Sequence, residues 1–367
     1  MKIALFTREL DNVLGGMERQ LLKIARTLSD LGHDVTIYSL DKNPPNLFYP
    51  NFGSEIRVVN ISSTDPQLVS STAQKVKRQL LVYKFLKRDK PDLGISFMFG
   101  AFLYSRLPTF FLSVPMILAE RNSPDIYRIT AVKKFRYLFF CTMFFSSRIV
   151  IQIERYKEKY PWFLRHKFTT IPNSIQEFNN KEHLQIQSAS FIFAGRFSFQ
   201  KQPLQLVKAF KLHLEKFPES KLLMYGSGEL QSEIETEILR NKLEKSVFLH
   251  GPIPDITKVF QKGNVLCIPS LWEGFPNILG EALSWGIPAI GFRNCDGVSD
   301  LIQDGINGWL EYDDGTTKPF VTLLDRAAES IESQEDLCKS CVESIQKFRE
   351  SGIKLEWNSL VTRFSRT

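Results

Sequence analysis

Short apolar runs alternate with helix-patterned segments along this chain, and the alternation stops once and then restarts. In the first half the strand-like runs fall at 2–7, 33–40, 56–62, 92–99, 115–120 and 148–153, with helical segments between most of them. One of those helices spans 17–32, where Leu21, Leu22, Ala25 and Leu28 recur at helical spacing and Gly32 is placed as the stop. A polar stretch over 173–190 breaks the pattern. Runs at 191–196, 220–226, 247–251, 265–270, 288–292 and 308–312 then resume it, with helices expected from about Pro203, from about Glu229 and after Pro276. Strand–helix alternation predicts parallel sheets covered on both faces, because each crossover lays a helix over the sheet. The 367 residues exceed one ordinary domain. The expected organisation is therefore α/β throughout: a Rossmann-like domain over 1–172, a linker over 173–190, a second Rossmann-like domain over 191–345, and a C-terminal amphipathic helix within 346–367 that docks on existing surface.

Charge separates the two halves. Residues 1–170 hold 26 Lys+Arg against 14 Asp+Glu, a balance of +12, and the remainder holds 21 against 26, a balance of −5, together the net +7 of the whole chain. A basic half joined to an acidic one predicts that the first half meets something anionic, either nucleic acid or a phospholipid surface. No uncharged run approaches the roughly 20 residues of a membrane-spanning helix. Lys2 is followed by four apolar residues and then by Arg8 and Glu9, too short for a secretory leader. The five cysteines include one C-x-x-C, Cys338 and Cys341, with no partner pair and no nearby histidine. Neither zinc nor redox chemistry is expected from them, and their pattern suits the cytoplasm.

In open parallel sheets ligands bind beyond the carboxyl ends of the strands, so the residues just after each run are the ones to examine. Gly195-Arg196 follows the first run of the second half, and Lys201 lies five residues later. A planar guanidinium and a point-charge ammonium together suit a diphosphate. Gly226 and Gly228 follow the next run and permit close backbone approach, but Gln231 stands where a dinucleotide fingerprint has its third glycine. Gly251-Pro252 forms a turn able to present backbone groups to a base. After the run at 265–270 comes Trp-Glu-Gly-Phe-Pro, then a helix with Pro276 expected at its first position. That helix start is an anion site by geometry and dipole. Glu273 precedes it, Glu281 lies inside it, and carboxylates suit the hydroxyls of a ribose or a hexose. Taken singly, the first three of these loops are ordinary turn chemistry, and the alternative for the fourth is a solvated Glu281 with Glu273 as a partner of the helix dipole.

The run Glu273-Gly274-Phe275-Pro276-Asn277-Ile278-Leu279-Gly280-Glu281 resembles the E-x7-E motif of retaining GT-B glycosyltransferases, in particular glycosyltransferase family 4. The resemblance extends over essentially the full chain. It takes in Gly15-Gly16 with Glu18, the segment 171–175, Gly195-Arg196 with Lys201, the Gly226–Glu229 loop and the segment 304–310. It implies two Rossmann-like domains facing across a cleft, with the final helix, carrying Trp357, returning to the first. It implies that Glu281 binds the ribose of a nucleotide-sugar donor and that Glu273 lies by the donor sugar. Arg196 and Lys201 would hold the diphosphate and neutralise the charge of the leaving group, joined by backbone groups of Phe275, Asn277 and Ile278, and the Gly15-Gly16 loop would close over the donor. It further implies retention of configuration, with no covalent nucleophile required. Strict Asp-x-Asp is missing from the chain, which fits a metal-independent enzyme with no cofactor beyond its nucleotide-sugar substrate, a UDP-sugar favoured. Family members often carry a first-domain histidine near the reacting centre. None of the five histidines here falls in the matching loops, and Arg121, with Glu120 and Asn122, occupies that region instead.

The 96–124 pattern resembles the subgroup that extends bacterial lipid-linked or surface polysaccharides. The implied acceptor is a lipid-linked glycan, and the implied place is the inner face of the cytoplasmic membrane. Segments 75–90 and 128–145 interleave Lys and Arg with Phe, Tyr and Leu, as bilayer-lying segments do, although most apolar residues of 137–145 are expected to face the core. Anionic lipid is therefore the expected partner of the basic half, and nucleic acid is not. The competing readings are a sugar-nucleotide epimerase of the same fold and a non-catalytic basic binding protein.

Overall fold

A computed structural model of the chain describes residues 1–10, 16–41, 56–61, 71–178, 189–253, 255–330 and 334–365. The chain divides into two compact units, Met1–Ser174 together with Glu350–Thr367, and Ile175–Arg349. The divisions fall at 174/175 and 349/350. The expected linker over 173–190 therefore splits: its first residues belong to the first unit, Ile175–Phe178 belong to the second, and 179–188 lie outside the described residues.

The first unit holds a seven-stranded parallel sheet of β1 (Lys2–Thr7), β2 (Asp34–Ser39), β3 (Arg57–Asn60), β4 (Leu93–Phe97), β5 (Met116–Ala119), β6 (Arg148–Ile151) and β7 (Phe168–Thr170). Its spatial order is β3-β2-β1-β4-β5-β6-β7. The inner strands β4, β5 and β6 are nearly uniformly apolar because both faces are covered. On one face Leu5, Ile37, Ile95, Ile117 and Val150 share a core with Leu21, Leu22, Ala25 and Leu28 of the helix Gly16–Asp30 and with Ile353, Trp357, Leu360 and Val361 of the helix Glu350–Thr362. The C-terminal helix thus completes the first core. The sequence pattern missed β7, whose three residues are too few to show a period. It also ran β4 two residues too far, since Met98 already opens the helix Met98–Phe111 with a positive φ of 67°.

Local chemistry sets several helix ends. Ser71 caps the helix Thr72–Asp89 by accepting from the Gln74 amide at 3.3 Å while Gln74 Oε1 accepts from the Ser71 amide at 2.8 Å, a reciprocal capping box. In the short helix Arg136–Met143 and the residues after it the structure departs from the sequence reading. Tyr137, Leu138, Phe144 and Phe145 are exposed, and only Phe140 and Met143 are buried. Eight residues make barely two turns, so only a narrow stripe of the helix reaches the core.

The second unit repeats the architecture with six parallel strands: β8 (Ser190–Ala194), β9 (Lys221–Tyr225), β10 (Val247–Leu249), β11 (Val265–Ile268), β12 (Ala289–Phe292) and β13 (Gly308–Glu311). Their order is β10-β9-β8-β11-β12-β13. The strand order reverses between β8 and β11, so the loops following these two strands flank the crevice in which such sheets bind ligands. In the first unit the corresponding reversal lies between β1 and β4. Cys338 and Cys341 are both thiols on the helix Gln334–Ser344, and burial pushes the Cys341 thiol well above its ordinary range. No helix of the described residues is long and apolar enough to cross a membrane.

Candidate active site

The loop after β8 and the loop after β11 carry the residues that the sequence singled out, and they are tied together. Lys201 Nζ donates to Glu273 Oε1 at 2.5 Å across the switch point. The backbone supports this pair from both sides: Leu271 N donates to Gln200 O at 3.0 Å, and Gln200 Nε2 donates to Trp272 O at 2.7 Å. The Glu273 side chain is 8% exposed and that of Lys201 25%. A carboxylate this far from water keeps its charge only beside a fixed cation. Arg196 on the same loop is exposed and forms no ion pair among the described residues. The arrangement therefore offers one ammonium already anchored to a carboxylate and one guanidinium open to a ligand.

A third loop, after β9, braces the first. Gly195 N donates to Tyr225 O, Gly226 N donates to Gly251 O, and Phe197 N donates to Ser227 O, each at 2.9 Å. Phe199 N donates to Glu229 Oε1 at 3.3 Å. The glycines are required by closeness. Gly226 has a φ of +146°, and a Cβ there would sit 1.9 Å from the Gly195 carbonyl oxygen. At Gly228 a Cβ would meet the Phe197 carbonyl oxygen at 2.4 Å. Their role is thus to seat the Gly195–Lys201 loop. The Gly251-Pro252 turn contributes its Gly251 carbonyl to the same bracing, and Pro252 is exposed beside it.

The helix Asn277–Trp285 follows the Glu273 loop. Pro276 is its N-cap rather than its first residue, with ψ 97°, because the chain must still turn out of the Gly274-Phe275 loop before helical geometry begins. Leu279 N and Gly280 N donate to Pro276 O at 3.0 and 3.3 Å, so the backbone of Phe275, Asn277 and Ile278 lies ahead of these two bonds, at the positive end of the helix. Glu281, in the second turn, is 4% exposed. Gly286, in the left-handed region with φ 88°, ends the helix. Gly280 is the site of another close approach: a Cβ there would strike Ile175 Cδ1 at 2.3 Å.

Two neighbours escaped the sequence reading. A Cβ on Gly297 would lie 2.7 Å from both Glu273 Cβ and Glu273 O, and 2.9 Å from Gly274 O. Only glycine lets the turn after β12 back against the Glu273 loop so closely. Cys295 is buried beside it, and burial first, then the Glu273 carboxylate, push its thiol up. A glycine after a strand was visible at 297, but nothing in one sequence says which backbone it must approach.

In the first unit Gly16 opens the helix Gly16–Asp30, while Gly15 lies outside the described residues. Arg121, two residues beyond β5, is 8% exposed. Its Nη1 donates to Ile171 O and Asn173 Oδ1, both at 3.3 Å, and its guanidinium lies 5.4 Å from the ring centres of Phe97 and Trp357. Burial lowers its pKa to about 9. Those contacts pin the returning helix to the strand ends. Glu120 is buried too, accepting from Tyr127 Oη at 2.7 Å, and burial raises its carboxyl above the ordinary range. Among the described residues no group of three or more His, Cys, Asp or Glu is placed to hold a metal ion.

Residues 174–347, nearly the whole second unit, match the family described as glycosyl transferases group 1. The second unit is a group 1 glycosyl transferase domain. An α-1,4-N-acetyl-D-galactosaminyltransferase of Campylobacter jejuni, named for a PP-undecaprenol-linked glycan substrate, is 25% identical over 98% of each chain. An Escherichia coli α-1,3-galactosyltransferase named for UDP-Gal and a GlcNAc-diphosphoundecaprenol is 24% identical over 84% of each. Among solved structures, Anabaena HepE in complex with UDP and glucose superposes with a TM-score of 0.81 at 17% identity, covering 99% of this chain and 100% of that one. These likenesses establish the GT-B fold and, with the family match, glycosyl transfer by this enzyme.

Proposed function

We propose that this glycosyltransferase moves a sugar from a UDP-sugar to a hydroxyl of a lipid-linked glycan, with retention of configuration and without a metal ion. The observation that carries the reading is the Lys201–Glu273 pair at the switch point of the second sheet. Lys201 has three donors, and with one held by Glu273 two are left for a ligand. Arg196 adds a second cation, and the helix dipole at Asn277 adds positive potential. Together these neutralise charge developing on the leaving diphosphate, the task a divalent cation performs elsewhere. Glu273, buried against the lysine, accepts from donor-sugar hydroxyls, and Glu281 accepts from the ribose. The acceptor hydroxyl approaches the face from which the diphosphate departs, so no covalent nucleophile enters.

Support for the donor comes from the UDP bound by the Anabaena protein and the UDP-Gal in the name of the Escherichia coli relative. Support for the acceptor comes from the undecaprenol-linked substrates named for both relatives. Such an acceptor places the reaction at the inner face of the cytoplasmic membrane, with the basic first unit toward anionic lipid. Thermal stabilisation across a panel of UDP- and GDP-sugars tests the donor, since a ligand bound by the native state alone raises its melting temperature. Stabilisation by none of them would overturn the reading. Donor isomerisation without acceptor would favour an epimerase instead.

A further inference from the structure

Three cations gather near the amino-terminal edge of the first sheet, the edge opposite the loops at its strand carboxyl ends. Arg148 opens β6, Lys167 immediately precedes β7, and Arg106 lies on the helix Met98–Phe111. Lys167 Nζ donates to Ser146 O at 2.8 Å and lies 4.9 Å from the centre of the Phe144 ring. The Arg106 guanidinium lies 5.2 Å from the Phe110 ring and 6.0 Å from that of Phe145. Among the described residues no carboxylate pairs with any of the three, and Arg106 Nε is buried without a hydrogen-bond partner. Burial first, then the charges of Arg148 and Arg106, hold the Lys167 ammonium below its ordinary range. Like charges packed this way repel one another until an anion joins them.

The surroundings say which anion. Leu103, Leu107, Phe110 and Phe111 expose an apolar face on the helix that carries Arg106. Phe145 is 59% exposed, Phe111 70% and Trp162 80%. The rings form a chain, with Phe144 6.1 Å from Phe145 and 6.2 Å from Phe163, which lies 6.2 Å from Trp162. A dissolved phosphate would leave these rings in water, whereas the headgroup zone of a bilayer offers phosphate beside hydrocarbon. We propose that Arg106, Arg148 and Lys167 bind the phosphate of an anionic phospholipid headgroup, with the flanking phenylalanines seated in the bilayer interface. The site gives the membrane contact of the functional reading a chemical identity and rests on that reading.

Co-sedimentation of the full chain with vesicles tests it. Wild type is expected to bind phosphatidylglycerol-containing vesicles at least about tenfold more tightly than pure phosphatidylcholine. Replacing all three cations (R106Q, R148Q, K167Q) is expected to weaken that binding by roughly two orders of magnitude, as three basic groups near an anionic surface contribute. The charge-retaining set R106K, R148K, K167R keeps it, which separates lost charge from lost folding. Inorganic phosphate at millimolar concentration leaves wild-type binding unchanged. Wild-type binding by the glutamine variant, indifference to lipid charge, release by phosphate, or tighter binding to RNA than to vesicles would each overturn the proposal. Transfer to a soluble acceptor without vesicles is unaffected by the glutamine set. If wild type itself transfers no sugar, the functional reading fails while the vesicle result stands.

Discussion

Replacing Lys201 with methionine keeps most of the apolar stem and removes the charge, which isolates the pair that joins the two switch-point loops. Breaking a fully buried pair by deleting one partner costs about 3–5 kcal/mol, because the remaining charge is stranded. An exposed pair is worth about 0.2–1 kcal/mol. With the glutamate side chain 8% and the lysine 25% exposed, the site falls between these limits, and about 2 kcal/mol is the expected loss. For a unit of this size that corresponds to a fall in melting temperature of roughly 4–8 °C. The double variant Lys201→Met with Glu273→Gln leaves no stranded charge and should recover about half of the loss. Catalysis should fall further than stability. Removing one preorganised charge-stabilising group costs about 10²–10³ in kcat, and the double variant should not regain it. The assay is a thermal melt paired with steady-state transfer from a saturating UDP-sugar. A Lys201→Met enzyme with kcat within threefold of wild type, or a double variant that regains activity, would refute the assignment of Lys201 to the leaving diphosphate.

The other expected outcomes follow from single contacts. Glu281→Ala should abolish the thermal shift produced by a UDP-sugar while leaving the fold intact by circular dichroism, and wild-type donor turnover would disprove the ribose assignment. Gly226→Ala puts a Cβ 1.9 Å from the Gly195 carbonyl oxygen at a φ of +146°, so it should both destabilise the second unit and lower kcat by displacing the Arg196–Lys201 loop. A variant with unchanged kcat would show that the loop is not seated this way. Burial alone would raise the Asp89 carboxyl, but hydrogen bonds from Arg88, Tyr38 and Arg57 pull it down to about 2. Its folded value lies below its unfolded one, so the stability it contributes is present above about pH 4 and is lost as pH falls toward 2. Asp89→Asn should therefore destabilise the protein at pH 7 and cost much less near pH 2, as urea melts at the two pH values would register.

Much of this protein is legible along the chain. Two strand–helix series, each with apolar runs too uniform for a one-sided sheet, require parallel sheets buried on both faces, and the polar stretch between them marks where one core ends. The positions just after β8 and β11 stand out as candidate site residues because ligands of such sheets bind beyond the strand carboxyl ends. Other features depend on residues far apart in sequence. β7 exists because Ile149, Val150 and Ile151 offer an edge to Phe168, Thr169 and Thr170, a pairing that leaves no periodic trace. Lys201 and Glu273 are 72 positions apart, and only the crossover that places β8 beside β11 brings them into contact. Gly297 matters because the turn after β12 passes within van der Waals reach of Glu273, a fact about two backbones. Arg121 shows the converse: its position after a strand suggested chemistry, and the Phe97 and Trp357 rings around it made it a clamp. Local propensity and the hydrophobic pattern act over a few residues, so they determine elements and class. Side-chain partnership is set by which strands lie adjacent, and only the folded chain decides that.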